Sequence, residues 1–346
     1  MSAFSARLIR WYRLHGRHDL PWQNTTDPYR VWLSEIMLQQ TQVATVIPYY
    51  ARFLARLPTL AALAAAPVED VMSLWSGLGY YARARNLHAC ARTLMAVHGG
   101  AFPRDPAAIA TLPGIGRSTA NALAVFCFNA CEPILDGNVK RVLCRCFGID
   151  GFPGAPAVEK QLWRLAAELL PAAEVGAYIQ AQMDLGATVC TRSKPSCDAC
   201  PLASQCLAWR DGRTGELPQA KSRRVPPERA TTVLVLTDGQ RTLLEARPPA
   251  GIWGGLWSLP ELPAAAELNQ YVARLGYRAK GVWELAPLVH AFTHFRLTIR
   301  PVLVTVEPAA CVAESGQHWL TALEMKSAPL PAPIRKLLRR TFSAIP

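Results

Sequence analysis

Through the first 210 or so residues the apolar positions recur at helical spacing, and the breaks in that pattern mark helix ends. Prolines in IPYY (Pro48), RLPTL (Pro58) and AAPVED (Pro67) read as stops. Val68–Leu74 and Ala82–Val97 continue in the same register, and 159–170 (EKQLWRLAAELL) predicts another amphipathic helix. Strand-like alternation is scarce here. The character changes at 211–229 (DGRTGELPQAKSRRVPPER), where apolar residues nearly vanish and Pro, Arg and Lys dominate, as in a linker. Beyond it, ATTVLVLTDGQRTLLEARP predicts two strands around an Asp238–Gly239 hairpin. A further strand is expected at Arg296–Val306, with helices at Ala264–Leu275 and Ile334–Phe342. The pattern therefore predicts an all-α region over 1–210 and a smaller α+β domain over 230–346, without internal repeats.

A length of 346 residues agrees with two domains, and the 51% hydrophobic content supplies core for both. The formal net charge is +12, with 25 Lys and Arg against 17 Asp and Glu in residues 1–229 and 12 against 8 in 230–346. Both parts can therefore hold a polyanion. No apolar run approaches the ~20 residues of a membrane span, and the N-terminus MSAFSARLIRWYRLHG lacks a signal-peptide core. A cytosolic location with no membrane partner is expected. In such a compartment the ten cysteines are not a disulfide framework. Six of them (Cys90, Cys127, Cys131, Cys144, Cys146, Cys311) are expected as buried apolar residues.

The other four, Cys190, Cys197, Cys200 and Cys206, follow a C-x6-C-x2-C-x5-C spacing. Four soft thiolates so close together can enclose one metal centre, and the spacing alone leaves zinc and iron–sulfur both open. Arg192 and Lys194, between the first two cysteines, would be presented rigidly toward phosphates, or are simply solvated charges. The run LPGIGRSTA (112–120) sets Gly114 and Gly116 between a proline and a helix-forming stretch. Such a tight hairpin opens a helix N-terminus whose N–H groups can seat a phosphate. A lone carboxylate, Asp136 in ILDGN, follows it.

The hairpin, PILDGNVKRV and the quartet after MDLGATVCTRSKPSC resemble the endonuclease III-type superfamily. SEIMLQQTQVATVIPYY (34–50) and WSGLGYYARARNLH (75–88) narrow the resemblance to the MutY-type adenine DNA glycosylase family, from about residue 5 to 210 and more loosely beyond. The resemblance implies two helical lobes with DNA in the cleft and a 4Fe–4S cluster on the quartet. It implies that a monomer acts on double-stranded DNA with A opposite 8-oxoguanine or G. Glu35, an acid in a largely apolar helical run, is implied to be the general acid that protonates adenine N7, its pKa raised by partial burial. Asp136 is implied to stay ionised against an oxocarbenium-like sugar. Its DGN setting, with Gly137 and Asn138, predicts donors that depress its pKa, and Asn138 joins the catalytic set. Gln40 and Tyr80 match positions that fill the base stack when the target base is extruded. The resemblance also implies that Trp22 and Gln23 border the adenine pocket, and that the enzyme works at the nucleoid.

Ser118 stands where members that also cut the backbone carry a lysine that forms a Schiff base. A hydroxyl cannot form that imine, so a monofunctional glycosylase is expected. ARPPAGIWGGLWSLPE (246–261) resembles the opening of a Nudix domain. A Nudix hydrolase would need a glutamate-dense helix to hold Mg²⁺, and the stretch AAAELNQYVARLGY offers Glu267 alone. The resemblance implies instead a reader of 8-oxoguanine at Thr293 and His294, where Thr293 replaces the common serine. Three rivals are weaker on the same residues. A pyrophosphohydrolase lacks the glutamates, and a non-catalytic clamp makes no demand on Glu35. Excision of thymine or oxidised pyrimidines is opposed by Ser118 and the second domain.

Overall fold

The computed structural model describes residues 2–221, 226–248, 251–292, 294–309, 316–326 and 328–342. Packing divides the chain into two compact units: Met1–Ala65 with Asn86–Arg223, and Ala66–Arg85 with Arg224–Pro346. A sequence boundary at 210–230 does not anticipate that residues 66–85 pack with the C-terminal part.

The helices in chain order are α1 (Ala3–His15), α2 (Pro28–Leu38), α3 (Val43–Arg56), α4 (Leu60–Ala65), α5 (Val68–Trp75), α6 (Ala82–Val97), α7 (Pro106–Ile109), α8 (Arg117–Phe128), α9 (Gly137–Cys146), α10 (Pro156–Glu168), α11 (Val175–Thr188) and α12 (Leu207–Arg210). Asp27, Asp105 and Asp136 accept backbone N–H bonds as N-caps of α2, α7 and α9, and α2, α7 and α10 each begin on a proline. Pro48 does not stop a helix: it lies inside α3, which buries Val46, Tyr50 and Phe53 along one face. That apolar stripe outweighs the one backbone bond that a proline forgoes. The first unit's core gathers Phe4, Leu8 and Trp11 of α1 with Val139 and Leu143 of α9 and Tyr178 and Ile179 of α11. The expected linker begins later than its composition suggests. Leu217 is 1% exposed, and its carbonyl accepts from Arg145 Nε at 2.8 Å.

The second unit carries an eight-stranded sheet: β1 (Glu228–Thr237), β2 (Arg241–Ala246), β3 (Trp257–Ser258), β4 (Glu261–Leu262), β5 (Tyr277–Glu284), β6 (Leu288–Ala291), β7 (Arg296–Pro308) and β8 (Gln317–Thr321). The path runs β3-β2-β1-β7-β5, with β4 on β1, β6 on β7 and β8 on β2. β1 and β7 pair in parallel from Glu228↔Arg296 to Thr237↔Thr305, while β1 and β2 form the expected antiparallel hairpin. The helices here are α13 (Leu268–Arg274) and α14 (Ala332–Phe342). α13 is shorter than its pattern because Glu267 caps it, accepting from the Gln270 N–H at 3.0 Å. Among the described residues no helix is long and apolar enough to cross a membrane.

Candidate active site

Glu35 sits in the third turn of α2 between Ser34 and Ile36, which are 1% and 3% exposed. The helix thus drives a carboxyl into the wall of the core while its end keeps a partial opening to solvent. Burial comes first, and the negative charge of Asp136 second, in pushing the Glu35 carboxyl up to about 7. Asp136 itself is held by donors: its Oδ1 accepts from the Val139 N–H at 2.7 Å and its Oδ2 from Asn138 Nδ2 at 3.3 Å. These donors and the Arg141 guanidinium lower its pKa, as the sequence suggests, but burial outweighs them and the carboxyl is raised overall. The expectation of a depressed Asp136 is therefore corrected: the sequence reveals its donors but not its depth. Both carboxyls are thus raised, burial being the first cause in each.

The surroundings of Asp136 include residues that sequence reasoning missed. Asn138 Oδ1 accepts from Arg141 Nη2 at 2.8 Å, and the same guanidinium donates to the carbonyls of Gly186 (2.6 Å) and Cys190 (2.7 Å). A Cβ on Gly186 would stand 2.5 Å from Asn138 Cβ, so α9 and α11 meet here at glycine. Asn121, 4% exposed in the apolar α8, donates to the Pro133 carbonyl at 2.7 Å. An amide in an otherwise apolar helix was the one available signal for it. Ser118, read from the sequence as a hydroxyl where backbone-cutting members carry a lysine, has an internal partner: its Oγ accepts from the Leu135 N–H at 3.1 Å, one residue before Asp136. Trp22 is buried edge-on to Tyr50, with ring centroids 5.4 Å apart. Gln23 Oε1 accepts from the Leu20 N–H, whereas its Nε2 is buried without a partner among the described residues. Arg17, just upstream, donates its backbone N–H (2.8 Å) and Nε (2.9 Å) to the fully buried Asp184 of α11, fastening this segment.

The hairpin connects α7 to α8. Unlike the helices capped by aspartate, α8 has Gly116 as N-cap and no side-chain cap, so its first N–H groups stay available to an anion. Gly114 lies at φ +76°, and a Cβ there would stand 2.6 Å from Asn86 Cβ. Gly114→Ala is expected to cost about 2–3 kcal/mol from the left-handed backbone and the clash. A fall in Tm with a matching loss of duplex affinity checks this. Gln40 (φ +56°) and Tyr80 (φ +49°) are both exposed, large and left-handed, a conformation that side chains of this kind rarely hold without a structural reason. Gln40 belongs to the first unit and Tyr80 to the second.

All four quartet cysteines line one small cavity, together with Val142, Leu185, Val189 and Leu202. Among the described residues no three or more His, Cys, Asp or Glu side chains gather as ligands of a single metal ion. The buried Arg145 secures the surrounding loop by donating to the carbonyls of Thr191 (2.7 Å) and Arg192 (3.0 Å) and to Cys190 Sγ (3.4 Å). Arg192 and Lys194 both remain exposed. The scattered cysteines are not uniformly buried: Cys90, Cys144 and Cys146 are, Cys127 is half-buried, Cys131 is exposed, and Cys311 lies outside the described residues. Cys131 falls in the turn after α8, where no helix face carries it inward.

The pattern of HhH-GPD superfamily base excision DNA repair proteins matches residues 33–168, and that of the NUDIX domain matches 231–340. The adenine DNA glycosylase of Buchnera aphidicola subsp. Baizongia pistaciae (strain Bp) is 35% identical over 339 residues, covering 97% of this chain and 96% of its own length. That of Mus musculus is 35% identical over 401 residues, covering 98% and 78%. The chain belongs to the adenine DNA glycosylase family. Among solved structures, a thermostable thymine-DNA glycosylase matches with TM-score 0.55 and 28% identity over 60% of this chain and 95% of that one. An endonuclease III in non-covalent complex with DNA matches with TM-score 0.53 at 22% identity, covering 60% of this chain and 94% of that one, a likeness of fold.

In this family member Glu267 of the Nudix-like domain is occupied as a helix cap. In the same domain the turn after β6 closes with the Phe292 N–H donating to the Phe295 carbonyl at 2.8 Å. It presents an exposed His294, edge-on to Phe295 at 4.8 Å. Thr293 lies outside the described residues.

Proposed function

We propose that this base-excision DNA glycosylase, which removes adenine, acts on adenine opposite 8-oxoguanine or G in duplex DNA and stops at an abasic site. The observation that carries the reading is Glu35, pushed up to about 7 beside Asp136. At neutral pH a substantial fraction of Glu35 is protonated, so it can donate to adenine N7 as the C1′–N9 bond breaks and the bonding electron pair leaves with the base. Asp136, as the carboxylate, faces the cationic sugar. Water then adds to C1′ and gives its proton to the Glu35 carboxylate, restoring the acid. Asn138, bonded to Asp136, holds that carboxylate in place. The partnerless Gln23 Nε2 beside the buried Trp22 supports an adenine pocket, because a buried donor without a partner is costly and a base edge supplies an acceptor. The open N-terminus of α8, with Gly114, Gly116 and Ser118 in the hairpin, and Arg192 and Lys194 form the phosphate contacts. Gln40 and Tyr80 fill the stack, and Thr293 and His294 read the oxidised base.

The cysteine cavity suits a 4Fe–4S cluster better than zinc, since the sulfurs surround a volume rather than converge on a point. Cys190, Cys197, Cys200 and Cys206 would hold the cluster, which would cross-link the loop carrying Arg192 and Lys194. The enzyme is read as a monomer acting on the nucleoid from the cytosol. A duplex assay with A opposite 8-oxoguanine, A opposite G and thymine glycol tests the reading. Adenine release from the first two is expected, with strand nicking only after alkali and no adduct trapped by borohydride. Release of thymine glycol, or an adduct abolished by changing one lysine, would overturn it.

A further inference from the structure

The loop that carries Tyr80 is built within the second unit. Gly77 (φ +104°), Gly79 (φ +74°) and Tyr80 (φ +49°) are all left-handed in one short turn between α5 and α6. Its inner side is held locally. Trp75 Nε1 donates to the Gly79 carbonyl at 3.2 Å, Arg83 Nη2 to the same carbonyl at 3.1 Å, and the Gly77 N–H to the Tyr81 hydroxyl at 3.3 Å. Arg83 also stacks over the rings of Trp75 and Tyr80, at 5.2 and 5.6 Å. These contacts shape the turn, while two arginines fasten it to the Nudix-like domain.

At the base of the turn, Ser76 Oγ accepts from Arg335 Nη2 of α14 at 3.0 Å. The same guanidinium donates to the carbonyls of Met325 (3.2 Å), Lys326 (2.9 Å) and Ala328 (2.8 Å), so it cannot swing away without uncapping that segment. On the other side, Arg85 of α6 donates to the Gly254 carbonyl, and a Cβ on Gly255 would touch Arg85 and Met72. Gly254 follows Trp253, itself left-handed at φ +56° and 8% exposed. The Trp253 ring lies 6.1 Å from Phe292, which stacks on Phe295 at 4.4 Å in the turn that presents His294.

We propose that Arg335, aided by Arg85, is a positioning residue for Tyr80: the Nudix-like domain holds the strained turn that carries the stack-filling residue, so reading of 8-oxoguanine and insertion of Tyr80 are coupled through one domain. The inference rests on the reading of Tyr80 as the filler and His294 as the lesion reader. Its consequence is specificity, since cutting the link removes most of the advantage that 8-oxoguanine has over G opposite adenine.

The test is single-turnover adenine release by the full chain from both duplexes, with 2-aminopurine beside the lesion reporting unstacking on binding. Arg335→Ala is expected to slow release opposite 8-oxoguanine by about 5–20-fold, with a smaller effect opposite G, and to abolish the fluorescence rise. Ser76→Ala, which keeps Arg335 and its carbonyl partners while removing the hydroxyl that it donates to, is expected to act in the same direction if Arg335→Ala fails to fold. In a Tyr80→Ala background either change should add nothing to the rate loss. Losses that add in that background, or fluorescence unchanged by both variants, would overturn the coupling. A Tyr80→Ala protein that keeps wild-type rates and fluorescence would instead remove the reading of Tyr80 on which the coupling rests.

Discussion

Glu35→Gln is expected to slow adenine release by about 10²–10⁴-fold while leaving duplex binding intact, because the amide keeps the shape of the acid but has no proton to give. The pH profile sharpens this expectation. The wild-type Glu35 carboxyl is pushed up to about 7, so release should fall as pH rises through that value, and the variant's residual rate should lack that limb. Stability should move the other way. The folded state keeps a proton on Glu35 that the unfolded chain has already lost above its ordinary glutamate pKa. Stability from this group is therefore full below that pKa and disappears as pH rises through about 7, a change on the order of 3–4 kcal/mol. Glutamine is never asked to bury a charge. The Tm of Glu35→Gln relative to wild type should thus climb between pH 4 and pH 8. Loss of activity with a Tm that instead drops at pH 8 would mean that the variant is inactive because it is damaged, and would remove Glu35 from the general-acid role.

What the sequence revealed here was local. The hairpin could be read because two glycines, a proline and a following helix lie within nine residues, and Gly114 and Gly116 take the places that pattern requires. The quartet could be read because its spacing lies in one loop. Glu35 stood out as an acid among apolar neighbours that fold into one helix wall. What stayed hidden depends on distance along the chain. Ser76 and Arg335 are 259 positions apart, and neither residue type implies the other. Hence the packing of 66–85 with the C-terminal part had no sequence signal. β3 and β4 have two residues each, too few for any alternation to show. Pro48 reads as a stop because the sequence shows a helix-breaking residue but not the tertiary burial of Tyr50 and Phe53 beside it. The sign of the Asp136 shift failed for a related reason: the donors are neighbours in sequence, whereas the burial that outweighs them comes from the fold.

Asp136→Asn is expected to cost about 10²–10³-fold in adenine release with almost no loss of stability, and the contrast between the two effects is the diagnostic. Asp136 has two roles. Its Oδ1 caps α9 through the Val139 N–H, and in the proposed mechanism its charge faces the cationic sugar. Asparagine caps a helix about as well as aspartate, so the first role survives the change and the second does not. Because burial raises the Asp136 carboxyl, its charge destabilises the folded protein at neutral pH. Removing the charge should leave Tm equal or slightly higher, and Asn138 and Arg141 should keep their own bond at 2.8 Å. Asp136→Ala should match the kinetic loss but also lower stability by about 1 kcal/mol through the missing cap. Single-turnover rates and thermal melts of the two variants side by side separate the roles. If Asp136→Asn released adenine at the wild-type rate, Asp136 would be a helix cap and nothing more, and the positive charge on the sugar would need another partner.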